Sequence, residues 1–426
     1  VILTDDQGYA DVGFNGSTDI RTPNIDRIAG EGVRFTSGYV TYPVCGPSRA
    51  GLLTGRYQDR FGFSRNPTID PTNPDAGIPP DERNIAEILK PVGYRTGIIG
   101  KWHMGTHPTL HPNRRGFDYF FGFLSGGHQY FPEELTLNDI SESKKAWDWY
   151  RTRILRNEER IDIDDYLTDE FSNEAVDFIQ REKGHPFFLY LAYNAPHGPL
   201  QATDDYLARY DHIDDTKRRT YAAMIAAVDD GVGRVLQALK QHDLDKNTII
   251  FFLSDNGGAK NKGSSNAPLR GYKSTPFEGG VRVPFAMRWV GAIPAGVIYD
   301  HPISSMDILA TIVARNDAPI SVNRPLDGVD LVPYLTGEKR GRPHEKLFWR
   351  NHDKGWFVSR IGDDKLIYNY DSSYFVFDLE KDSAEEKNLV KRRKLFVRST
   401  VDEINDWNAQ NIDPVFPGLG SWNGNR

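Results

Sequence analysis

The chain has 426 residues, 38% of them apolar and 26% charged, which is material for a large core that needs no disulfide staples. Its formal charge of −7, with both signs interspersed, excludes a general nucleic-acid footprint, and no run of about 18 apolar residues is present to span a membrane. A single cysteine excludes an intrachain disulfide and leaves the compartment open.

Val1-Ile2-Leu3-Thr4 is an apolar run cut off by Asp5-Asp6-Gln7-Gly8, which predicts a buried strand delivering two adjacent carboxylates at its C-terminal end. The sequence starts inside that run, so a signal peptide absent from it is compatible with export. Residues 22–29 carry a cap, a proline in the first turn and apolar residues at helical spacing, the pattern of a helix packed on a sheet. Residues 34–40 read as a second strand leading into a segment with the sole cysteine.

Cys45 stands at the mouth of a predicted short helix, where Pro47 fits the first helical position and Gly55 the stop. Backbone N–H groups there favour an anion or an activated nucleophile, and Arg49, one turn in, adds positive charge. A lone cysteine is more often a small buried hydrophobe, so the remaining chain must decide.

Residues 84–89 form an amphipathic helix by pattern, and residues 93–100 a strand that stops at Lys101-Trp102-His103. Residues 106–165 are rich in aromatics, glycine and charge without a sustained period and read as a long, irregular but ordered insertion. Leu167 to Ile179 mark a helix. The apolar run 186–193 is a buried strand ending at Asn194-Ala195-Pro196-His197, and Tyr221 to Leu239 line one face of a long helix. The next strand, 248–253, ends in Ser254-Asp255-Asn256. A glycine- and lysine-rich loop then leads to Pro268-Leu269-Arg270-Gly271-Tyr272-Lys273, a strand over 283–289 and a helix over 306–313.

Alternating strands and helices predict an α/β fold: a large, mostly parallel but mixed sheet flanked by helices. From residue 346 on, four short strand patterns separated by turn residues, then a helix, predict a small antiparallel-sheet α+β subdomain. The expected domains are 1–345, with 106–165 inserted near the site, and 346–426.

Four strand ends thus carry polar residues to one sheet edge: Asp5 and Asp6, Lys101 and His103, His197, and Asp255 with Asn256. Buried acids and lysines need partners or a metal. Asp5, Asp6, Asp255 and Asn256 supply only oxygen, which suits a hard divalent cation, calcium before magnesium. A soft cysteine beside them is a poor ligand for such an ion.

Cys45-Gly46-Pro47-Ser48-Arg49, continued by Leu53-Thr54-Gly55-Arg56, resembles the first signature of the type I sulfatase family in the alkaline phosphatase superfamily, and residues 93–103 resemble its second. The resemblance covers nearly the whole chain. It implies a sulfuric ester hydrolase in which Cys45 is oxidised to formylglycine, so that an oxygen replaces the thiol, by a formylglycine-generating or anaerobic sulfatase-maturing enzyme. It further implies calcium held by Asp5, Asp6, residue 45, Asp255 and Asn256. Arg49 and His103 would serve the hydrated aldehyde, Lys101 and Lys273 the sulfate oxygens, and His197 the departing alcohol.

His107, His128 and Arg270 lie in loops near the matched segments and are candidates for substrate contact. Trp102 and Tyr130 could stack on sugars, although core packing explains them equally well. The segments around Arg270 and Glu278 resemble the branch of N-acetylgalactosamine 4-sulfatases and bacterial polysaccharide sulfatases. The implied substrate is a sulfated carbohydrate, a glycosaminoglycan or algal galactan, and the implied location periplasmic or secreted. Phosphomonoester or phosphonate hydrolysis, and glycan binding without catalysis, are the alternatives.

Overall fold

A computed structural model describes residues 1–419; residues 420–426, the end of the expected C-terminal subdomain, lie outside the described residues. In chain order the strands are β1 (Ile2–Thr4), β2 (Val33–Phe35), β3 (Gly38–Tyr39), β4 (Arg95–Lys101), β5 (Tyr119–Phe123), β6 (Ile154–Arg156), β7 (Glu159–Ile161), β8 (Phe187–Ala192), β9 (Ile250–Ser254), β10 (Phe285–Arg288), β11 (Val297–Tyr299), β12 (Ile303–Ser304), β13 (Lys346–Asn351), β14 (Trp356–Ile361), β15 (Asp364–Asn369) and β16 (Tyr374–Asp378). The main sheet runs β11-β2-β10-β9-β1-β8-β4-β5-β6-β7.

Its centre, β9-β1-β8-β4-β5, is parallel throughout, while β10 and the β6–β7 edge run antiparallel to their neighbours. The mixed α/β sheet expected from the sequence is therefore present. The continuous apolar runs have a direct cause: alternate residues serve opposite faces. Ile2, Ile99 and Leu191 pack against the helices Leu167–Glu182 and Thr216–Gln241, and Leu3, Ile98 and Tyr190 against the layer holding the helix Cys45–Thr54. Because β9, β1, β8 and β4 are parallel neighbours, their C-terminal ends open on the same edge. That placement creates the site.

Three local expectations need correction. Residues 34–40 are not one strand: β2 stays in the main sheet, whereas β3 leaves it to pair with β12. The segment 106–165 is irregular only in part: β5 extends the parallel sheet, and β6 and β7, of three residues each and too short to show a period, close its edge. The cysteine helix begins at Cys45, two residues before Pro47, whose missing N–H falls in the first turn where no intrahelical acceptor exists. Gly55 does end that helix, with φ +64° in the left-handed region.

The four C-terminal strands form an antiparallel sheet in the order β13-β14-β15-β16, packed against the helix Lys394–Asn408 through Ile404 and Trp407. It is joined to the β3–β12 pair and to the helical turn Glu278–Val281 through a buried cluster of charge. Lys365 Nζ lies 2.9 Å from both Glu278 Oε1 and Glu385 Oε1. Glu278 Oε2 accepts from the Tyr39 hydroxyl at 2.6 Å, and Glu385 Oε2 from the Glu278 backbone N–H at 2.7 Å. Arg360 donates to the Tyr39 oxygen at 2.6 Å.

Candidate active site

Asp5 and Asp6 emerge directly from β1, Asp255 and Asn256 from β9, Lys101 from the end of β4 with His103 two residues on, and His197 from the loop after β8. Cys45 and Arg49 come from the first turns of the cysteine helix, and Lys273 from the loop after Asn266. All ten residues expected to act together are brought into one cluster.

The contacts within it are close. Lys101 Nζ is ion-paired with Asp5 Oδ2, and the Arg49 guanidinium reaches Asp255 Oδ2 at 2.9 Å and Asp5 Oδ2 at 3.4 Å. Lys273 Nζ lies 2.6 Å from Asp6 Oδ1 and 3.1 Å from Cys45 Sγ, which is itself 3.4 Å from Asp5 Oδ1. Asn256 Nδ2 donates to Asp6 Oδ1 at 2.7 Å, and His197 Nε2 lies 3.8 Å from Asp6 Oδ2. Asp5, Asp6, Cys45 and His197 each offer a ligand atom within 4.8 Å of the others.

Two of these residues are held in unusual backbone. Asp6 at φ +62° and His103 at φ +58° occupy the left-handed region, which turns the chain sharply at the end of each strand. A glycine makes room for the second: a Cβ on Gly126 would sit 2.7 Å from His103 Nε2. The imidazole is buried, and both of its nitrogens lack hydrogen-bond partners among the described residues. The Asn256 carboxamide oxygen is in the same condition. Buried polar atoms left unpaired are costly, so each calls for a ligand.

The electrostatics follow from three acids facing three bases out of water. Burial opposes charge on Asp5, but Lys101, His197 and Arg49 outweigh it and hold the carboxyl well below its usual range. Asp255 is pushed up to about 6, by burial and then by the Asp5 charge. Burial, then Asp255 and Asp5, push the Cys45 thiol up, so as a thiol residue 45 stays protonated. Burial, then Lys101 and Arg49, hold the His103 imidazole neutral. His197 is lowered chiefly by burial; its Nδ1 faces the Gly198 carbonyl at 2.7 Å and so carries the proton, leaving Nε2 toward the cluster.

The three loop candidates take other positions. His128 is a core residue, its ring stacked 4.6 Å from Phe123 and its Nδ1 2.9 Å from the Gln129 carbonyl. His107 caps the turn Pro108–Leu110 by accepting from the Thr109 N–H at 3.2 Å. Arg270 lies over the Phe277 ring at 4.0 Å and donates to the Glu385 carbonyl at 2.9 Å, bracing the loop of Lys273 against the C-terminal sheet. Trp102 and Tyr130 are fully buried, as core packing requires. The sequence reading missed Tyr150, whose ring stands 6.5 Å from that of His197. Its one signal was the Gly126-Gly127 pair: a Cβ on Gly127 would meet the Tyr150 hydroxyl at 2.4 Å.

No helix among the described residues is long and apolar enough to cross a membrane. The Sulfatase family matches residues 1–317. The chain is 37% identical over 361 residues to N-acetylgalactosamine-6-sulfatase of Mus musculus, covering 80% of this chain and 67% of that protein; the chain spans about two thirds of the length of its mammalian relatives of that name. The solved structure of Ps i-CgsB in complex with k-i-k-neocarrahexaose is similar at a TM-score of 0.92 and 40% identity, over 97% of this chain and 93% of that one. PsFucS1 sulfatase from Pseudoalteromonas sp. is similar at a TM-score of 0.80 and 26% identity, over 97% and 91%. A match across residues 1–317 and relatives of this identity over four fifths of the chain establish that it belongs to the sulfatase family, the sulfuric ester hydrolases.

Proposed function

We propose that this chain removes sulfate from a galactose-configured unit of a sulfated glycosaminoglycan or galactan, with residue 45 matured to formylglycine and a calcium ion beside it. One observation carries the reading: Asp5 and Asp6 offer carboxylate oxygens within 4.8 Å of the sole cysteine, and beside Asp6 stand two further oxygen donors, Asp255, which accepts the Asp6 N–H, and Asn256, whose Oδ1 is unpaired. Hard oxygen donors fit calcium, and an oxygen at residue 45 fits that set where a thiol does not. When present, the two groups supply a nucleophilic hydrate oxygen and Lewis-acid polarisation of the ester.

The chain's own residues do the rest. Asp5, Asp6, Asp255 and Asn256 hold the cation. Arg49, fixed by Asp5 and Asp255, orients the oxygen at residue 45, and the neutral His103 imidazole accepts its proton. Lys101 and Lys273 meet the sulfate oxygens where negative charge grows. His197 serves as the acid in its doubly protonated form, in which Nε2–H is given to the departing sugar oxygen while Nδ1–H stays on the Gly198 carbonyl.

The substrate class draws on what the relatives are named for: N-acetylgalactosamine-6-sulfate in one, a neocarrahexaose bound to another. A polymeric substrate places the protein in the periplasm or outside the cell, and its maturation needs a formylglycine-generating or anaerobic sulfatase-maturing enzyme as transient partner. Residues 1–345 are taken as the catalytic domain and 346–426 as a C-terminal subdomain.

The test is mass spectrometry of the Cys45 peptide from active protein, with activity followed through chelation and re-addition of metal. An aldehyde at residue 45, and recovery with calcium ahead of magnesium, are expected. An intact thiol in active protein overturns the mechanism; equal turnover of aryl phosphate and aryl sulfate overturns the reaction class.

A further inference from the structure

The side of the site that faces the leaving group has a second feature. Beyond His197 stands Tyr150, and 5.6 Å beyond its ring stands the indole of Trp147, edge-on to it at 73°. Trp147 is 56% exposed, whereas Trp102 and Trp149 are buried. Its backbone is left-handed at φ +73°, a conformation that bulky residues rarely adopt.

The surrounding segment is fixed. Asp148 Oδ2 accepts the N–H groups of Lys144 and Lys145, both at 2.9 Å, and the Tyr150 N–H bonds the Trp147 carbonyl at 3.0 Å. On the inner side, the Tyr150 carbonyl accepts from Gln129 N–H at 2.9 Å, and Gly127 leaves the space its hydroxyl fills. A costly conformation that turns a large apolar ring to solvent, held by its own loop and the neighbouring one, asks for an occupant.

The reaction dictates where the substrate's carbon skeleton lies. Sulfate sits at residue 45, the departing oxygen at His197, and the skeleton must leave the cluster past His197. Tyr150 stands beside His197, and Trp147 stands beside Tyr150. We propose that Tyr150 and Trp147 form a carbohydrate subsite: Tyr150 lies against the sugar that carries the sulfate, and Trp147 stacks on the apolar face of the next sugar along. The exposed Lys144 and Lys145 add positive charge beside that second sugar, which suits a chain sulfated at more than one unit. The subsite makes the enzyme selective for oligosaccharides over small sulfate esters, and it rests on the sulfated-carbohydrate reading above.

The test compares two probes, a sulfated neocarrahexaose and 4-nitrophenyl sulfate, in Trp147→Ala, Trp147→Phe and Tyr150→Phe enzymes. For Trp147→Ala, kcat/KM on the hexaose falls by about tenfold more than on the aryl ester, mainly through KM, and Trp147→Phe restores most of it. In a Cys45→Ala background, the hexaose changes tryptophan fluorescence, and adding Trp147→Phe removes that change. Parallel losses on both probes, or a fluorescence response that survives Trp147→Phe, overturn the subsite while leaving the function intact. A wild-type enzyme that cleaves the aryl ester but neither the hexaose nor chondroitin sulfate oligosaccharides overturns the carbohydrate reading itself, and the subsite with it.

Discussion

Two clusters of buried charge sit in this molecule, alike in composition and opposite in condition. In one, Lys365 bridges Glu278 and Glu385, and every carboxylate oxygen of that pair faces a hydrogen-bond donor or a cation, Glu385 Oε1 through its ion pair alone. In the other, Asp5, Asp6 and Asp255 face Arg49, Lys101 and Lys273, yet both His103 nitrogens and Asn256 Oδ1 lack hydrogen bonds among the described residues. Buried charge therefore does not mark a functional site by itself. Polar capacity left open beside it does. The first cluster joins two sheets; the second leaves polar groups open to a ligand.

Substitutions can break that contrast. The largest effect belongs to Cys45→Ala, which lowers kcat at least about 10⁴-fold and leaves the thermal midpoint within about 2 °C of wild type. Steady-state kinetics and a melting curve check both halves; loss of the fold would show that the site is a structural cluster after all. Lys365→Met reverses the pattern. It removes the cation shared by two buried carboxylates, of which only Glu278 keeps another, Arg282 at 3.4 Å, and lowers stability by about 3–5 kcal/mol, read from urea unfolding, while the protein that remains folded stays active. An inactive but fully stable Lys365→Met enzyme would erase the distinction.

The smallest effect concerns a simpler pair, His344 Nε2 and Asp307 Oδ1 at 2.7 Å. Burial disfavours the imidazolium, but the Asp307 carboxylate outweighs it and raises His344 above its ordinary value. The folded state thus binds the proton more tightly than the unfolded one. Its stabilising contribution is complete below about pH 6.5 and is lost as pH rises through the raised folded value. Melting temperature should decline over that interval, and His344→Gln should flatten the decline.

Much of the site was legible because its residues follow strands. A buried strand announces itself as an apolar run, and a parallel arrangement makes every polar ending face the same way; so Asp5, Lys101, His197 and Asp255 could be grouped before any distance was known. The C-terminal sheet was readable for a related reason, since its strands are five or six residues long and separated by turns. What failed depends on partners far away in the chain. Nothing local says that Gly38 and Tyr39 will leave the main sheet for Ile303 and Ser304, or that Arg270 will turn toward Glu385. Tyr150 was missed because its place comes from standing beside His197, which no spacing records and only the Gly126-Gly127 pair hints at.

The position of β1 has a consequence for synthesis. Ile2 pairs with Leu191 on one side and Phe252 on the other, so this strand waits for partners made long after it. Until then an apolar strand is exposed, and the two acids behind it have nothing to hold. Such distant pairing slows folding and favours aggregation of incomplete chains. Recovery of activity on refolding should therefore trail recovery of helical signal, and nascent chains shorter than β9 should depend on chaperones for solubility.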